Sequence, residues 1–173
     1  MDLFTTESGE QQGKPVQSPL ALRMSPASLD EFIGQSHVLK AGSTLRRAIL
    51  ADRIFSLVLY GPPGCGKSAL ARIIAQRTAA QFIEFNAVSI GVQDIRREIE
   101  MAVYRRKNLN QRTLLLLDEI HHFNRTQQDA LLPDVERGNI ILIGTTTENP
   151  YFYVNSALLS RSLAVEFQSL TAA

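Results

Sequence analysis

Cysteine is almost missing from this chain, and long apolar runs are missing altogether. Cys65 is the single cysteine among 173 residues, so the chain cannot close an internal disulfide. No apolar run approaches the roughly 20 residues needed to span a bilayer. Residues 1–25 are polar and lack the apolar core of a secretory signal. We therefore expect a cytoplasmic protein with no membrane contact.

An excess of charge of one sign is also missing. The 18 lysines and arginines nearly balance the 17 acidic residues, which gives a formal net charge of +1. A chain without a strong positive field can contact nucleic acid only through a local patch. With 45% hydrophobic and 20% charged residues, the composition is that of an ordinary globular domain, and 173 residues fit one such domain.

The pattern along the chain predicts a flexible arm over residues 1–19 and one domain over 20–173. The arm is rich in Gly, Pro, Ser and Gln and shows no sustained periodicity. Residues 28–54 have helical spacing, with Ser28 as a candidate N-cap. Apolar strand runs at 57–60, 82–85, 113–118, 140–145 and 163–167 then alternate with helical stretches near 68–79, 93–106, 125–136 and 156–160. This order predicts an α/β domain with a parallel sheet.

The strongest motif is GPPGCGKS, residues 61–68, which follows a predicted strand and precedes a helical stretch. It fits the P-loop pattern G-x-x-x-x-G-K-[ST] in the context that confirms it. The glycines permit a close backbone wrap around a phosphate, and the helix N-terminus adds positive potential. Lys67 would neutralise β- and γ-phosphate oxygens, and Ser68 would supply a hydroxyl to Mg²⁺. The predicted nucleotide site consists of Gly61, Pro62, Pro63, Gly64, Cys65, Gly66, Lys67, Ser68 and Ala69.

A second motif, TLLLLDEIHHFN at residues 113–124, supplies acidic residues. Four leucines before Asp118 and Glu119 predict a buried strand that delivers both carboxylates to its carboxyl end, where α/β folds bind ligands. Asp118 would hold Mg²⁺ through water, and Glu119 could polarise the attacking water as a base. This favours hydrolysis over storage or transfer. His121 and His122 are adjacent, so they lack the spacing that puts two metal ligands on one helix face.

Together, the P-loop and the runs LLLLDEIHHFNRTQQDALLPDVERG, LIGTTTENP and VNSALLSR resemble the AAA+ ATPases of the clamp-loader branch, and within it the replication-associated recombination protein A family. The resemblance covers about residues 19–167. It implies an AAA+ base domain whose five parallel strands follow the order 5-1-4-3-2, with ATP and Mg²⁺ as cofactors. It also implies ring-shaped self-association, DNA-stimulated ATPase activity at stalled replication forks, single-strand-binding protein as a partner, and a place at the nucleoid.

The resemblance also assigns roles to single residues. Ile33 and Gly34, together with Phe32, match a region that would pack near the adenine, although an ordinary amphipathic start is an alternative. Thr147 matches the sensor-1 position, which would touch the γ-phosphate or the attacking water, and Thr146 is the second choice. These roles place the two ends of the nucleotide against separate parts of the chain.

Two further roles concern control of hydrolysis. Asn86 could hold Glu119 in an inactive rotamer until DNA binds, although a plain strand-end asparagine explains it equally well. Arg161, in the run NSALLSRS, matches an arginine finger that acts in trans on ATP of the neighbouring subunit, so we expect it to face away from Lys67. Tyr153 stands where the family usually has an acidic residue, so the subunit contacts of that loop could differ.

Several features leave alternatives open. Basic residues near 93–112 could touch DNA phosphates or form a solvated helix face. They are Arg96, Arg97, Arg105, Arg106, Lys107 and Arg112. The start MDLF resembles short peptides that dock on sliding clamps. Family members continue beyond LAVEFQSLTAA with a helical lid and an oligomerisation domain, so we expect a lidless N-terminal half. Its function could instead be that of a nucleotide-binding scaffold, a clamp-loader subunit or a branch-migration motor.

Overall fold

The fold is built on one parallel sheet of five strands in the order β2-β3-β4-β1-β5. The computed structural model describes residues 24–170, so the predicted arm 1–19 and the MDLF start lie outside the described residues. The strands are β1 (Leu57–Tyr60), β2 (Gln81–Asn86), β3 (Thr113–Asp118), β4 (Ile140–Thr146) and β5 (Leu163–Glu166). Each neighbouring pair is parallel. The predicted α/β class and the predicted order 5-1-4-3-2 are confirmed.

Helices cover both faces of the sheet. They are α1 (Ser36–Leu39), α2 (Thr44–Leu50), α3 (Lys67–Arg77), α4 (Val92–Asn108), α5 (Arg125–Glu136), α6 (Pro150–Tyr153) and α7 (Ser156–Leu159), with a 3₁₀ turn at Ile120–His122. Side chains of α1, α2 and α3 form one core with the sheet, and those of α4, α5 and α7 form a second. Strand β4 is buried throughout because both its faces are covered. None of the helices within 24–170 combines the length and apolar character that a bilayer crossing requires.

The predicted helical stretch over 28–54 is wrong in part, because only the short helices α1 and α2 form there. Gly34 and Gln35 have φ values of 85° and 51° directly before α1, and Gly42, with φ of 83°, separates α1 from α2. These left-handed conformations interrupt a right-handed helix. Ser28 Oγ does accept the N–H of Glu31 at 3.3 Å, but a turn follows and not a helix.

Helix α6 was not predicted, although its start carries a sequence signal. Pro150 occupies the first turn, where its missing N–H costs nothing, and the Asn149 side chain accepts the N–H of Tyr151 at 3.0 Å. The next cap repeats this arrangement, since Asn155 accepts the N–H of Leu158 at 2.7 Å. The two caps turn the chain twice between β4 and β5.

Candidate nucleotide site

The predicted P-loop lies at the carboxyl edge of the sheet, between β1 and α3. Gly61 donates its N–H to the carbonyl oxygen of Thr146 at 3.2 Å, which anchors the loop to β4. Gly61 has φ of 142°, and a Cβ there would lie 2.2 Å from the carbonyl oxygen of Phe167. At Gly66, with φ of 98°, a Cβ would lie 2.8 Å from Phe32 Cζ. The positive φ therefore favours glycine at both positions, and at Gly61 the contact with backbone also leaves no room for a side chain.

The loop carries backbone donors and a buried ammonium group. Within residues 24–170, the backbone N–H groups of Gly64 through Ala69 donate no hydrogen bond to protein atoms. Those of Gly66 through Ala69 belong to the N-cap and first turn of α3, where the helix dipole adds positive potential. Lys67 is buried, and its Nζ donates to the carbonyl oxygens of Gly61 at 2.8 Å and Pro62 at 2.7 Å. This donor set fits a polyphosphate.

The two predicted Mg²⁺ ligands are in direct contact. Ser68 Oγ donates to Asp118 Oδ1 at 3.0 Å. The hydroxyl of Thr145 donates to the same carboxylate oxygen, and Thr145 Oγ1 accepts the N–H of Glu119 at 3.3 Å. Hydroxyl and carboxylate oxygens are ligands that Mg²⁺ accepts together with water. The residues at this edge therefore fit a hydrated Mg²⁺ beside the P-loop.

Glu119 has a left-handed backbone conformation, with φ of 57°, and its side chain, 32% exposed, reaches the nucleotide cleft. Its Oε2 is buried and lies 3.2 Å from His121 Nδ1, although the approach is off the ideal hydrogen-bond angle. His121 Nδ1 lies 2.9 Å from Thr146 Oγ1. Asn86 accepts the N–H of Val88 at 2.9 Å with its side chain, and no hydrogen bond within 24–170 joins it to Glu119. The switch role of Asn86 stays a prediction.

An open cleft of about 760 Å³ surrounds the P-loop. Phe32 and the exposed Ile33 line it on the side predicted for the adenine, and Thr147 lines it together with the acidic pair. Gly34 is not among the lining residues; its backbone packs under Leu170, whose Cδ2 would lie 2.4 Å from an added Cβ. Buried Thr146 does not line the cleft either. The structure thus brings the predicted phosphate, metal and sensor residues into one space.

Some lining residues were not predicted. They are Met24, Ser25, Pro26, Glu31, Arg72 and Leu170. Arg72 could have been found, because it follows Ser68 by four residues, one turn further along α3. A hydrogen bond from Arg72 to Glu84 raises the pKa of Arg72, partly offset by burial, so this side chain is a cation at the edge of the cleft. No local pattern marks the others, which reach the cleft from opposite ends of the chain.

Arg161 lies outside the cleft, at the end of α7. Its Nε lies 2.9 Å from Glu136 Oε1, its Nη1 donates to Ser160 Oγ at 2.6 Å, and its side chain is 48% exposed. The side chain therefore pairs at the surface and not with the P-loop of its own chain. Its action in trans stays a prediction.

The predicted basic patch is divided into two sets. Arg105 pairs with Glu98 within α4 at 2.6 Å and also donates to Thr113 Oγ1 on β3 at 3.3 Å, and Arg112 pairs with Asp52 at 2.5 Å. These contacts hold α4 and the following segment to the domain. The exposed members are Arg96, Arg97, Arg106 and Lys107.

The fold and this site define a P-loop protein of the AAA+ class. The chain belongs to the family described as "ATPase family associated with various cellular activities (AAA)", whose model matches residues 57–169.

Sequence relatives of this chain belong to one family within the AAA+ class. The chain is 48% identical over 155 residues to replication-associated recombination protein A of Haemophilus influenzae; this match covers 90% of this chain and 34% of that protein. The chain is 50% identical over 153 residues to the protein of the same name from Escherichia coli K12; this match covers 88% of this chain and 34% of that protein. This confirms the resemblance to that family. The chain spans about a third of the length of these relatives.

Solved structures agree on the fold. RuvB of Thermotoga maritima, a Holliday junction branch migration motor, matches with a TM-score of 0.65 and 29% identity, over 84% of this chain and 50% of that one.

Proposed function

We propose that this chain binds ATP with Mg²⁺ and hydrolyses it, as the base domain of a DNA-dependent ATPase that maintains replication forks and takes part in recombination. The observation that carries the proposal is the 3.0 Å contact between Ser68 Oγ and Asp118 Oδ1, directly beside a P-loop with free N–H donors. The relatives named replication-associated recombination protein A support the process in which it acts.

The geometry suggests a division of labour among the side chains. The N–H groups of the loop and the Lys67 ammonium bind and orient the phosphate oxygens in the ground state. Ser68 and, through water, Asp118 would hold Mg²⁺, which would supply charge neutralisation at the phosphates. Glu119 reaches the same cleft and accepts a proton from the attacking water, while Thr147 orients the water or the γ-phosphate.

DNA, single-strand-binding protein and further copies of the chain are the partners that we propose, with the nucleoid as the place of action. A local basic surface is available, because Arg96, Arg97, Arg106 and Lys107 on α4 are exposed. Such a surface can bind backbone phosphates without sequence preference. If the basic surface of α4 binds DNA, replacing Arg106 and Lys107 together by glutamate weakens DNA binding and makes the binding constant depend less steeply on salt concentration.

The proposal is tested by separating binding from hydrolysis. Lys67→Ala removes the ammonium that meets ground-state charge, so we expect ATP binding to be lost. Glu119→Gln keeps the shape of the side chain but not its basicity, so we expect binding to persist and hydrolysis to stop. Calorimetric titration with ATP and Mg²⁺, and phosphate release with and without DNA ends, measure the two quantities. Lys40→Ala, at an exposed lysine away from the cleft, is the matched control. Equal loss of binding in both site variants would contradict the assigned roles.

A second candidate is a nucleotide-binding scaffold that binds partners without turnover. The observation that favours it is the open cleft, since Ile33 is 83% exposed and an adenine beside it would remain half covered. A site that leaves its ligand exposed loses buried area and therefore affinity. ATP binding without hydrolysis, unchanged by DNA, is the outcome expected for the scaffold. Selective stimulation by four-way junctions would instead favour a branch-migration motor, the named activity of the RuvB relative.

A further inference from the structure

The carboxylate proposed as the base has one oxygen turned into the protein. Glu119 Oε2 is buried, and within residues 24–170 it has no aligned hydrogen-bond donor. The imidazole of His121 lies beside it, with Nδ1 3.2 Å away. An ionised carboxylate oxygen that is taken out of water needs a donor. His121 is therefore placed where the second oxygen of Glu119 requires one.

The imidazole of His121 is itself fixed on several sides. Its side chain is only 15% exposed. Nδ1 lies 2.9 Å from Thr146 Oγ1, the ring lies 4.2 Å from that of His122, and the ring of Tyr153 meets it edge-on at 6.1 Å. The 3₁₀ turn that carries His121 is anchored by Ile120, which is fully buried. A ring held in this way can set the orientation of a flexible neighbour.

The neighbours also determine which ring nitrogen carries hydrogen. A carboxylate oxygen offers only lone pairs, so a bare Nδ1 at 3.2 Å from Glu119 Oε2 would face it with a lone pair of its own. Thr146 Oγ1 already accepts the N–H of Glu148 at 3.0 Å and can also accept from the imidazole. Hydrogen on Nδ1 can be donated to Thr146 Oγ1 and turns an N–H dipole toward the neighbouring Glu119 Oε2, whereas a bare Nδ1 would turn a lone pair toward that oxygen.

We propose that His121 is a positioning residue that holds Glu119 by Oε2 and leaves the other carboxylate oxygen for the water in the cleft. The proposal rests on the proposed function, in which Glu119 is the base. It also couples the base to β4 through Thr146, one residue before the predicted sensor Thr147. Asn86 accepts a hydrogen bond from Val88 in the structure, whereas His121 Nδ1 lies 3.2 Å from Glu119 Oε2.

The kinetic test compares His121→Ala with His121→Asn. The alanine variant loses the donor, so we expect kcat to fall about 10-fold to 100-fold, the range typical of losing an orienting partner, with KM and ATP affinity unchanged. The asparagine amide can place a donor near the Nδ1 position, so it recovers part of kcat. His37→Ala, at an exposed histidine on α1 that does not line the cleft, stays within about threefold of the parent rate. Unchanged or raised turnover in His121→Ala overturns the proposal, as does equal loss in His121→Asn.

A spectroscopic test does not depend on hydrolysis, so it separates this proposal from the proposed function. The chain has three histidines, which makes nitrogen-15 spectra of the imidazoles assignable by substitution. We expect His121 to show hydrogen on Nδ1, and Glu119→Ala to change its tautomer signature while leaving His37 unaffected. A His121 signal with bare Nδ1, or one that ignores Glu119→Ala, refutes the contact even in a protein that hydrolyses ATP. If the signature responds to Glu119→Ala but no hydrolysis occurs, the contact stands and the proposed function fails.

Discussion

The hydroxyl of Thr145 serves both acidic residues of the site, so Thr145→Val tests how the acidic pair is held. Thr145 is 1% exposed, its hydroxyl donates to Asp118 Oδ1, and its oxygen accepts the N–H of Glu119 at 3.3 Å. Valine keeps nearly the same shape and removes only these two hydrogen bonds. The substitution leaves no large cavity, so its cost measures the hydrogen bonds.

The loss of stability in Thr145→Val depends on which hydrogen bonds of the acidic pair remain. A hydrogen bond to a charged group contributes about 1.5–3 kcal/mol, and an unpaired buried N–H costs about 1–3 kcal/mol. Asp118 keeps the Ser68 hydroxyl as a donor, and Glu119 is only partly buried, so we take the low end of both ranges. The free energy of unfolding should then fall by about 2.5 kcal/mol. For a domain of this size, this lowers Tm by about 5–10 °C.

Urea unfolding followed by circular dichroism measures this difference, with thermal melting as a second probe. The control is Thr147→Val, which removes a hydroxyl from the same strand end at an exposed position and should change stability by less than about 0.5 kcal/mol. If Thr145→Val is as stable as Thr147→Val, the hydroxyl does not hold the acidic pair and the reasoning is wrong.

Three further predictions concern the site. Gly66→Ala places a Cβ 2.8 Å from Phe32 Cζ in a backbone conformation that L-residues rarely adopt, so calorimetry should show at least about tenfold weaker ATP binding, a cost of about 1.4 kcal/mol; unchanged affinity would show that the loop tolerates the methyl group. Thr147→Val should lower kcat by about 10²-fold or more without changing ATP affinity, as loss of one transition-state donor does; a change in affinity alone would contradict the sensor role. In protein shown to form rings, mixing Arg161→Ala with Lys67→Ala subunits, each inactive alone, should restore part of the hydrolysis, and mixed rings without activity would contradict action in trans.

The central strands were predicted nearly to the residue, for a physical reason. Strands β3 and β4 are covered on both faces, so each carries four consecutive apolar residues, and that run marks the strand. The 28–54 region was predicted less well because its apolar spacing suits a helix, while Gly34 and Gly42 take left-handed conformations. Spacing reports which side chains face the core, but it does not report where the backbone reverses.

The phosphate and Mg²⁺ residues of the candidate site could be predicted because they are consecutive or end a strand. Lys67, Ser68 and Asp118 follow from local patterns and from the rule that ligands bind at the carboxyl edge of parallel strands. His121 could not be placed beside Thr146 in the same way, because the predicted strand order sets which strands are neighbours but not where the side chains of the 3₁₀ turn after β3 lie. Leu170 lies beyond β5, where no local pattern marks it as a lining residue of the cleft.

Three consecutive threonines at the end of β4 connect these contacts. Side chains alternate between the faces of a strand, so Thr145 meets the acidic pair on one side, while Thr146 meets His121 on the other. Thr147 then leaves the strand and lines the cleft. His121 in turn contacts Tyr153 on α6, whose backbone carbonyl accepts a hydrogen bond from Gln128. These contacts join the end of β4 to both carboxylates and, through His121 and Tyr153, to the segment that leads to Arg161.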